Sequence, residues 1–334
     1  MSKHGGNIVE AAQQCGCTPE EIIDFSSNIN SCSPRVEMRI NSDMIRPYAD
    51  PEYRELKTAV AKRYGLKPSQ TALFNGASSA IFSLFETLRP QSCVLYAPLY
   101  GEYKAAASRY AAKVRLINRF TELEAVPPKG SSVVFVNPST PDGKWYDLER
   151  LLELWQERDC NVIVDESFLE FTNRPSVRKF LKRYKKLYIV QSLTKFYACA
   201  GVRVGALFSH PKNIAALNRP AWPISSFDAA YMVEALKDKK HLKRSKKRQA
   251  KRYAELEEIL RDSPLVSKLY PSEANYIMVK SRKRAAAVAA KLLEHRILVR
   301  DCSNFGFLGT DHLRFAVKDR SSHQWLRKAL RALA

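Results

Sequence analysis

The run Leu187-Tyr188-Ile189-Val190-Gln191-Ser192-Leu193-Thr194-Lys195-Phe196-Tyr197 decides how this chain is read. Its first half is a short, continuously apolar, β-prone stretch, the pattern of a strand covered on both faces. Its second half turns to hydroxyls and a lysine, and Gly201-Val202-Arg203-Val204-Gly205 follows. Residues 93–97, 114–118, 132–137, 161–165 and 204–209 carry the same signature and read as further buried strands. Helical patterns lie between them at 79–88, 101–112, 147–157 and 175–184. Strand–helix alternation of this kind predicts an α/β fold with a mostly parallel sheet. After Trp222 the character changes. Residues 228–260 read as one long helix, uninterrupted by Pro or Gly. Strand-like runs at 266–268, 275–279, 297–300 and 312–317, with helices at 284–295 and at the C-terminus, predict a smaller α+β domain.

The chain has 334 residues, 45% hydrophobic and 10% aromatic, which excludes a disordered or collagen-like chain. No apolar run reaches the ~18 residues of a membrane span, and the N-terminus lacks the apolar stretch of a secretory signal. The expectation is a soluble, cytoplasmic protein with no membrane partner. Seven cysteines, an odd number at irregular spacing, argue against a disulfide framework. Cys15-Gly16-Cys17 has no second pair to join it, so it reads as packing, and no metal site is expected. The anomaly is a net charge of +21. Residues 178–186 hold six positive and no negative charges, and residues 237–252 hold ten positive and one negative, so these two runs carry +15 of it. They read as solvated helix faces, with a docking face for an anionic partner or an electrostatic funnel as the sharper readings.

The chemistry is concentrated in a few motifs. Lys195 directly follows a predicted strand, with hydroxyls at Ser192 and Thr194 and a guanidinium eight residues later at Arg203. A lysine amine forms a Schiff base with an aldehyde cofactor, and the hydroxyls and Arg203 suit that cofactor's phosphate, arginine through bidentate hydrogen bonds. Gly76-Ala77-Ser78 enters an apolar helix and reads either as a phosphate-binding helix N-terminus or as an ordinary turn and cap. Asp165 ends a buried strand, where it either serves a cofactor ring or caps and pairs locally. Tyr100 follows Pro98 at another strand end, placed to stack on a ring or to fill the core.

The ordered set Gly-Ala-Ser, Pro-x-Tyr, Asp-Glu-x-Phe and Ser-x-Thr-Lys resembles the fold-type-I pyridoxal phosphate enzymes. Within them, His4-Gly5-Gly6-Asn7 and Asp24-Phe25-Ser26-Ser27-Asn28-Ile29-Asn30 are similar to the threonine-phosphate decarboxylases of cobalamin biosynthesis, relatives of histidinol-phosphate aminotransferase. The resemblance implies a seven-stranded, mostly parallel large domain over residues 31–225, a small C-terminal domain over 226–334, and an N-terminal arm, 1–30, that covers the substrate. It implies that Lys195 holds pyridoxal 5′-phosphate, Asp165 pairs with the pyridinium nitrogen, and Tyr100 stacks on the ring. Ala77, Ser78, Ser192, Thr194 and Arg203 would hold the cofactor phosphate, with Tyr48 reaching it from the neighbouring subunit of a homodimer. His4, Asn28, Arg300 and Arg314 would embrace the substrate's phosphate and carboxylate. Phe168 stands where the aminotransferases have Tyr, as in the decarboxylases. Thr140 stands where an Asn would bind the ring oxygen, leaving either its hydroxyl or Asn137 for that task. The implied reaction is decarboxylation of threonine phosphate or serine phosphate. The alternatives are a histidinol-phosphate-type aminotransferase and, from the charge alone, a non-catalytic nucleic-acid-binding protein; with the lysine, aspartate and arginine all in place, no nucleic-acid partner is expected.

Overall fold

The computed structural model describes residues 6–38 and 42–333. Its larger sheet has seven strands: β1 (Thr71–Phe74), β2 (Ser92–Ala97), β3 (Lys113–Asn118), β4 (Ser132–Val136), β5 (Asn161–Asp165), β6 (Leu187–Ser192) and β7 (Gly205–Phe208). They lie in the order β1-β7-β6-β5-β4-β2-β3. The strands from β3 to β6 are mutually parallel, while β7 runs antiparallel to both its neighbours. Successive side chains leave a strand on opposite faces, and both faces are covered. Val133 and Phe135 point to one layer with Trp155, and Val134 and Val136 to the other with Ile81 and Phe85. Both layers demand apolar residues, so these strands read as continuous apolar runs.

Three elements depart from the sequence expectation. The strand at β3 is an edge strand rather than a buried one, with Val114 39% exposed and Ile117 the buried residue. Its Lys113 and Arg115 suit an edge that must not pair with another chain. Residues 175–184 form only the 3-10 turn Val177–Phe180. Their start is captured by Glu166, whose carboxylate accepts from Ser176 Oγ and the Val177 amide. The long helix is two helices, Ser226–Lys237 and His241–Arg261. Asp238 breaks it: its carboxylate accepts from the Lys240 and Arg35 amides and from Arg244 at 2.9–3.1 Å, a local bond that competes with helix continuation.

The second sheet is antiparallel, in the order Arg300–Asp301, His312–Ala316, Tyr276–Ser281, Val266–Tyr270. Leu256, Leu292, Phe315 and Leu326 join its core, which also buries Phe25 completely. Residues Ile23–Asp24 pair in parallel with Ile297–Leu298, so the segment leading into the site is stitched to this smaller domain. Among the described residues, no helix is long and apolar enough to cross a membrane.

Candidate active site

In a parallel sheet the crevice beyond the carboxyl ends of the strands is the natural ligand site. Here the ends of β2, β4, β5 and β6 open on one side, and reversal of β7 brings its first residue, Gly205, beside Ser192 at the end of β6. A cavity of about 410 Å³ lies there. It is lined by Ala77, Ser78, Tyr100, Thr140, Asp165, Phe168, Ser192, Thr194, Lys195 and Arg203 of the large sheet's loops, and by Asn28, Arg300 and Arg314. The arrangement therefore gathers every expected site residue except two. His4 lies outside the described residues. Tyr48 is 84% exposed, leans on Trp222 at 5.0 Å between ring centroids, and is not among the cavity's lining residues.

Asp165 closes β5 and is buried. Its Oδ2 accepts from the Tyr103 hydroxyl at 2.9 Å and its Oδ1 from the Ser167 amide at 2.9 Å. Ser167 Oγ in turn accepts from the Ser192 amide at 3.0 Å, joining the ends of β5 and β6. Burial and the Asp165 charge push the Tyr103 phenol well above its usual range, so it remains a donor. The carboxylate is thus fixed in orientation, and among the described residues no cation is within ion-pair distance of it.

Lys195 sits in the one-turn helix Leu193–Phe196, its Nζ 5.1 Å from the centroid of the Phe168 ring. Burial pushes the amine below the ordinary lysine range; Asp165 opposes this, and Arg203 and Arg314 reinforce it. A lysine so placed is more readily neutral and nucleophilic.

Groups suited to an anion line the same cavity. Ser192 Oγ and Thr194 Oγ1 lie 3.1 Å apart, and Ser78 Oγ lies 3.1 Å from the Tyr100 hydroxyl. The helix Gly76–Leu88 points its N-terminus here, and free amides at such an end favour an anion. Two glycines allow the approach. A Cβ on Gly76, at φ +73°, would lie 2.6 Å from Arg203 Nη2, and one on Gly205 would lie 2.5 Å from the Gly76 carbonyl carbon and the Ala77 amide nitrogen. A buried lysine, an oriented carboxylate across from it and a cradle of hydroxyls, arginine and helix amides form a donor set that fits an aldehyde cofactor with a ring nitrogen and a phosphate.

A second anion site is built from the small domain. Arg300 and Arg314 are direct cross-strand partners. Arg314 is 8% exposed, donating to Thr140 Oγ1 and to the Ser26 carbonyl at 3.1 Å, and lying over the Tyr276 ring. With its amide turned to the satisfying orientation, Asn28 accepts from the same guanidinium at 3.0 Å. Among the described residues no carboxylate pairs with Arg314. Its burial depresses the guanidinium pKa, as it does that of Arg300.

A family model for class I and II aminotransferases matches residues 20–333. The chain belongs to the class I and II aminotransferase family. Members of this family depend on pyridoxal 5′-phosphate, which is the cofactor the Lys195 site fits. The threonine-phosphate decarboxylase of Salmonella typhimurium is 28% identical, over 99% of this chain and 96% of that protein. The adenosylcobalamin biosynthesis bifunctional protein of Leptospira interrogans is 30% identical over 95% of this chain, which spans only 39% of that longer protein. The histidinol-phosphate aminotransferase structure from Clostridium acetobutylicum is similar at TM-score 0.81 and 26% identity, over 93% of this chain and 99% of that one.

Of the two candidates for the ring oxygen, one lines the cavity. Asn137 is not among the cavity's lining residues, and its amide holds the Tyr146 backbone, with Nδ2 donating to the carbonyl and Oδ1 accepting from the N–H, both at 2.9 Å. Thr140 does line the cavity, and its hydroxyl accepts from Arg314. Sequence reasoning missed Tyr103 and Ser167. Tyr103 is one helical turn beyond Tyr100, and that i,i+3 spacing was the available signal.

Proposed function

We propose that the protein decarboxylates an O-phospho amino acid, L-threonine phosphate or L-serine phosphate. The observation that carries this reading is the cross-strand arginine pair. Like charges directly opposite in a sheet are destabilising, and a buried guanidinium lacking a carboxylate is more so. Arg314 is such a group, and with the Arg300 guanidinium beside it on the same cavity it suits a substrate with two anionic ends. End-to-end similarity to a threonine-phosphate decarboxylase supports the reading, as does a phenyl ring rather than a phenol at Phe168 beside Lys195.

Bound pyridoxal phosphate supplies an electron sink for the pair released at Cα. The protein's task is to choose which bond breaks. Arg300 and Arg314, with Asn28 bracing Arg314, would hold the substrate's phosphate and carboxylate and so fix which bond at Cα is presented for cleavage. Remote binding energy is thereby spent on orientation. Asp165, fixed by Tyr103, holds the ring-nitrogen proton, and His4 of the N-terminal arm covers the substrate. The carboxylate would leave as CO₂, Lys195 in its ammonium form would return one proton to Cα in its place, and an amino-alcohol phosphate would be released. From threonine phosphate this is (R)-1-amino-2-propanol phosphate, a cobamide linker; from serine phosphate it is ethanolamine phosphate. One methyl group is worth only ~1–3 kcal/mol of discrimination, so both substrates belong in the test. The enzyme is further proposed to act as a homodimer in which the exposed Tyr48 completes the partner's cofactor-phosphate site. Incubation with O-phosphothreonine and O-phosphoserine, following CO₂ and amine, is expected to show CO₂ release without any keto-acid partner. Amino transfer to 2-oxoglutarate without CO₂ release would refute decarboxylation and support the histidinol-phosphate-type alternative.

A further inference from the structure

Lys195 stands on a helix of only four residues. So short a helix has no stability of its own, and its terminal carbonyls need partners from outside. Those partners come from two distant parts of the chain. The Asn30 amide N–H donates to the Lys195 carbonyl at 3.0 Å. The Asn30 side chain donates to the Phe196 carbonyl at 2.7 Å and to Ser245 Oγ at 3.0 Å, while its Oδ1 accepts from the Cys32 amide at 3.0 Å. Asn30 is 6% exposed, and these bonds use both ends of its amide. From the other side His241 Nε2 lies 3.3 Å from the Phe196 carbonyl, and Ser245 touches the His241 ring. Asn30 also belongs to the same short segment as Ser26 and Asn28, which hold Arg314. The Asn28 carbonyl is itself pinned by Asn275 Nδ2 at 3.0 Å.

We propose that Asn30 is a positioning residue: it caps the Lys195 helix from outside and fixes the lysine relative to the Arg314 anion site. The inference rests on Lys195 being the residue that holds the cofactor. It assigns a task to the last residue of the 24–30 motif, which faces away from the cavity. The amine is kept where burial and the charges of Asp165, Arg203 and Arg314 set its titration. Without the cap, the helix end loosens and the amine gains access to water.

The test uses Asn30→Ala, with Ser245→Ala as a milder variant should the first fold poorly. In the cofactor-loaded enzyme, kcat is expected to fall by about tenfold or more, since misplacement on the order of 1 Å costs up to ~100-fold. KM should change much less, whereas Asn28→Ala should chiefly raise KM. In the cofactor-free protein, the pH midpoint for acetylation of Lys195, read by peptide mass spectrometry, is expected to rise toward the ordinary lysine range. Ser245→Ala should move both readouts the same way by less. A folded Asn30→Ala protein with the wild-type labelling midpoint and wild-type kcat overturns the proposal. So does a lower thermal midpoint with both readouts unchanged, which would mark a purely structural role. If even the wild type takes up no cofactor, the cofactor reading fails instead, and the labelling measurement still decides the role of Asn30.

Discussion

Gly205→Ala tests the cofactor cradle with one methyl group. The added Cβ would sit 2.5 Å from the carbonyl carbon of Gly76 and from the amide nitrogen of Ala77. Both are backbone atoms, so no side chain can rotate away, and relief requires β7 and the helix Gly76–Leu88 to part by on the order of 1 Å at a cost of about 1–3 kcal/mol. The amides displaced are those at the helix N-terminus proposed to bind the cofactor phosphate. A hydrogen bond to a charged group is worth ~1.5–3 kcal/mol, so losing one raises the dissociation constant for pyridoxal phosphate by roughly 10–150-fold. Titration of the cofactor-free protein with pyridoxal phosphate, followed by visible absorbance, reads this directly. Gly201→Ala is the control: it lies in the same loop, and a Cβ there meets nothing within 4 Å. It should change affinity by less than about twofold, as surface substitutions generally do. Wild-type affinity in Gly205→Ala would refute the assignment of the Gly76–Ser78 turn as the phosphate cradle.

Arg314→Lys keeps the charge but cannot reach Thr140, Ser26 and Asn28 at once; kcat/KM for the phospho amino acid is expected to fall by about 10–100-fold with cofactor affinity unchanged. Tyr103→Phe removes a buried donor from Asp165, and steady-state kinetics should show kcat lower by roughly tenfold, from ~1–3 kcal/mol of lost support for the carboxylate. The folded protein depresses the Lys195 pKa, so burying its charged form costs stability below that pKa, and the cost vanishes as pH rises toward the ordinary lysine range. Cofactor-free Lys195→Met should therefore be inactive yet melt higher than wild type at neutral pH, with the advantage shrinking in alkaline buffer. Mixing inactive Tyr48→Ala and Lys195→Ala chains should restore up to about a quarter of wild-type activity if the two residues serve one site from two subunits; no recovery from subunits shown to exchange would refute the shared site.

What could be read from sequence was what lies close along the chain. Lys195, its flanking hydroxyls and Arg203 announce themselves because a strand end, a turn and a reversed strand bring them together within a dozen residues. The apolar runs of β4 to β6 were legible because both faces are buried. The register between distant strands was not: that Arg300 and Arg314 face each other follows from which residues of two strands pair, and no local pattern encodes it. Val114 looked buried because it opens a β-prone run with Leu116 and Ile117, yet edge position is decided by strand order. Asp238 looked like an ordinary helical residue because its competing donors, Arg35 and Arg244, come partly from 200 residues away.

The two basic runs illustrate how one segment can serve two ends. Taken as charge alone they look separate from the site, and their outward faces are. Yet Arg178 pairs at 2.9 Å with Glu166, the buried neighbour of Asp165. Arg178, Ser176 and the Val177 amide all bond the Glu166 carboxylate, while its neighbour Asp165 lines the cavity. The second run does the same for the lysine. Lys240, Lys243, Lys247 and Lys251 recur at helical spacing and are exposed, while His241 and Ser245, on the turns between them, are buried against the Lys195 helix. The exposed cations keep the helix His241–Arg261 wet on one side, and its inner face packs against the helix that carries Lys195 on the other. The net charge of +21 is thus mostly carried by segments whose buried sides support the candidate site, without itself being part of it.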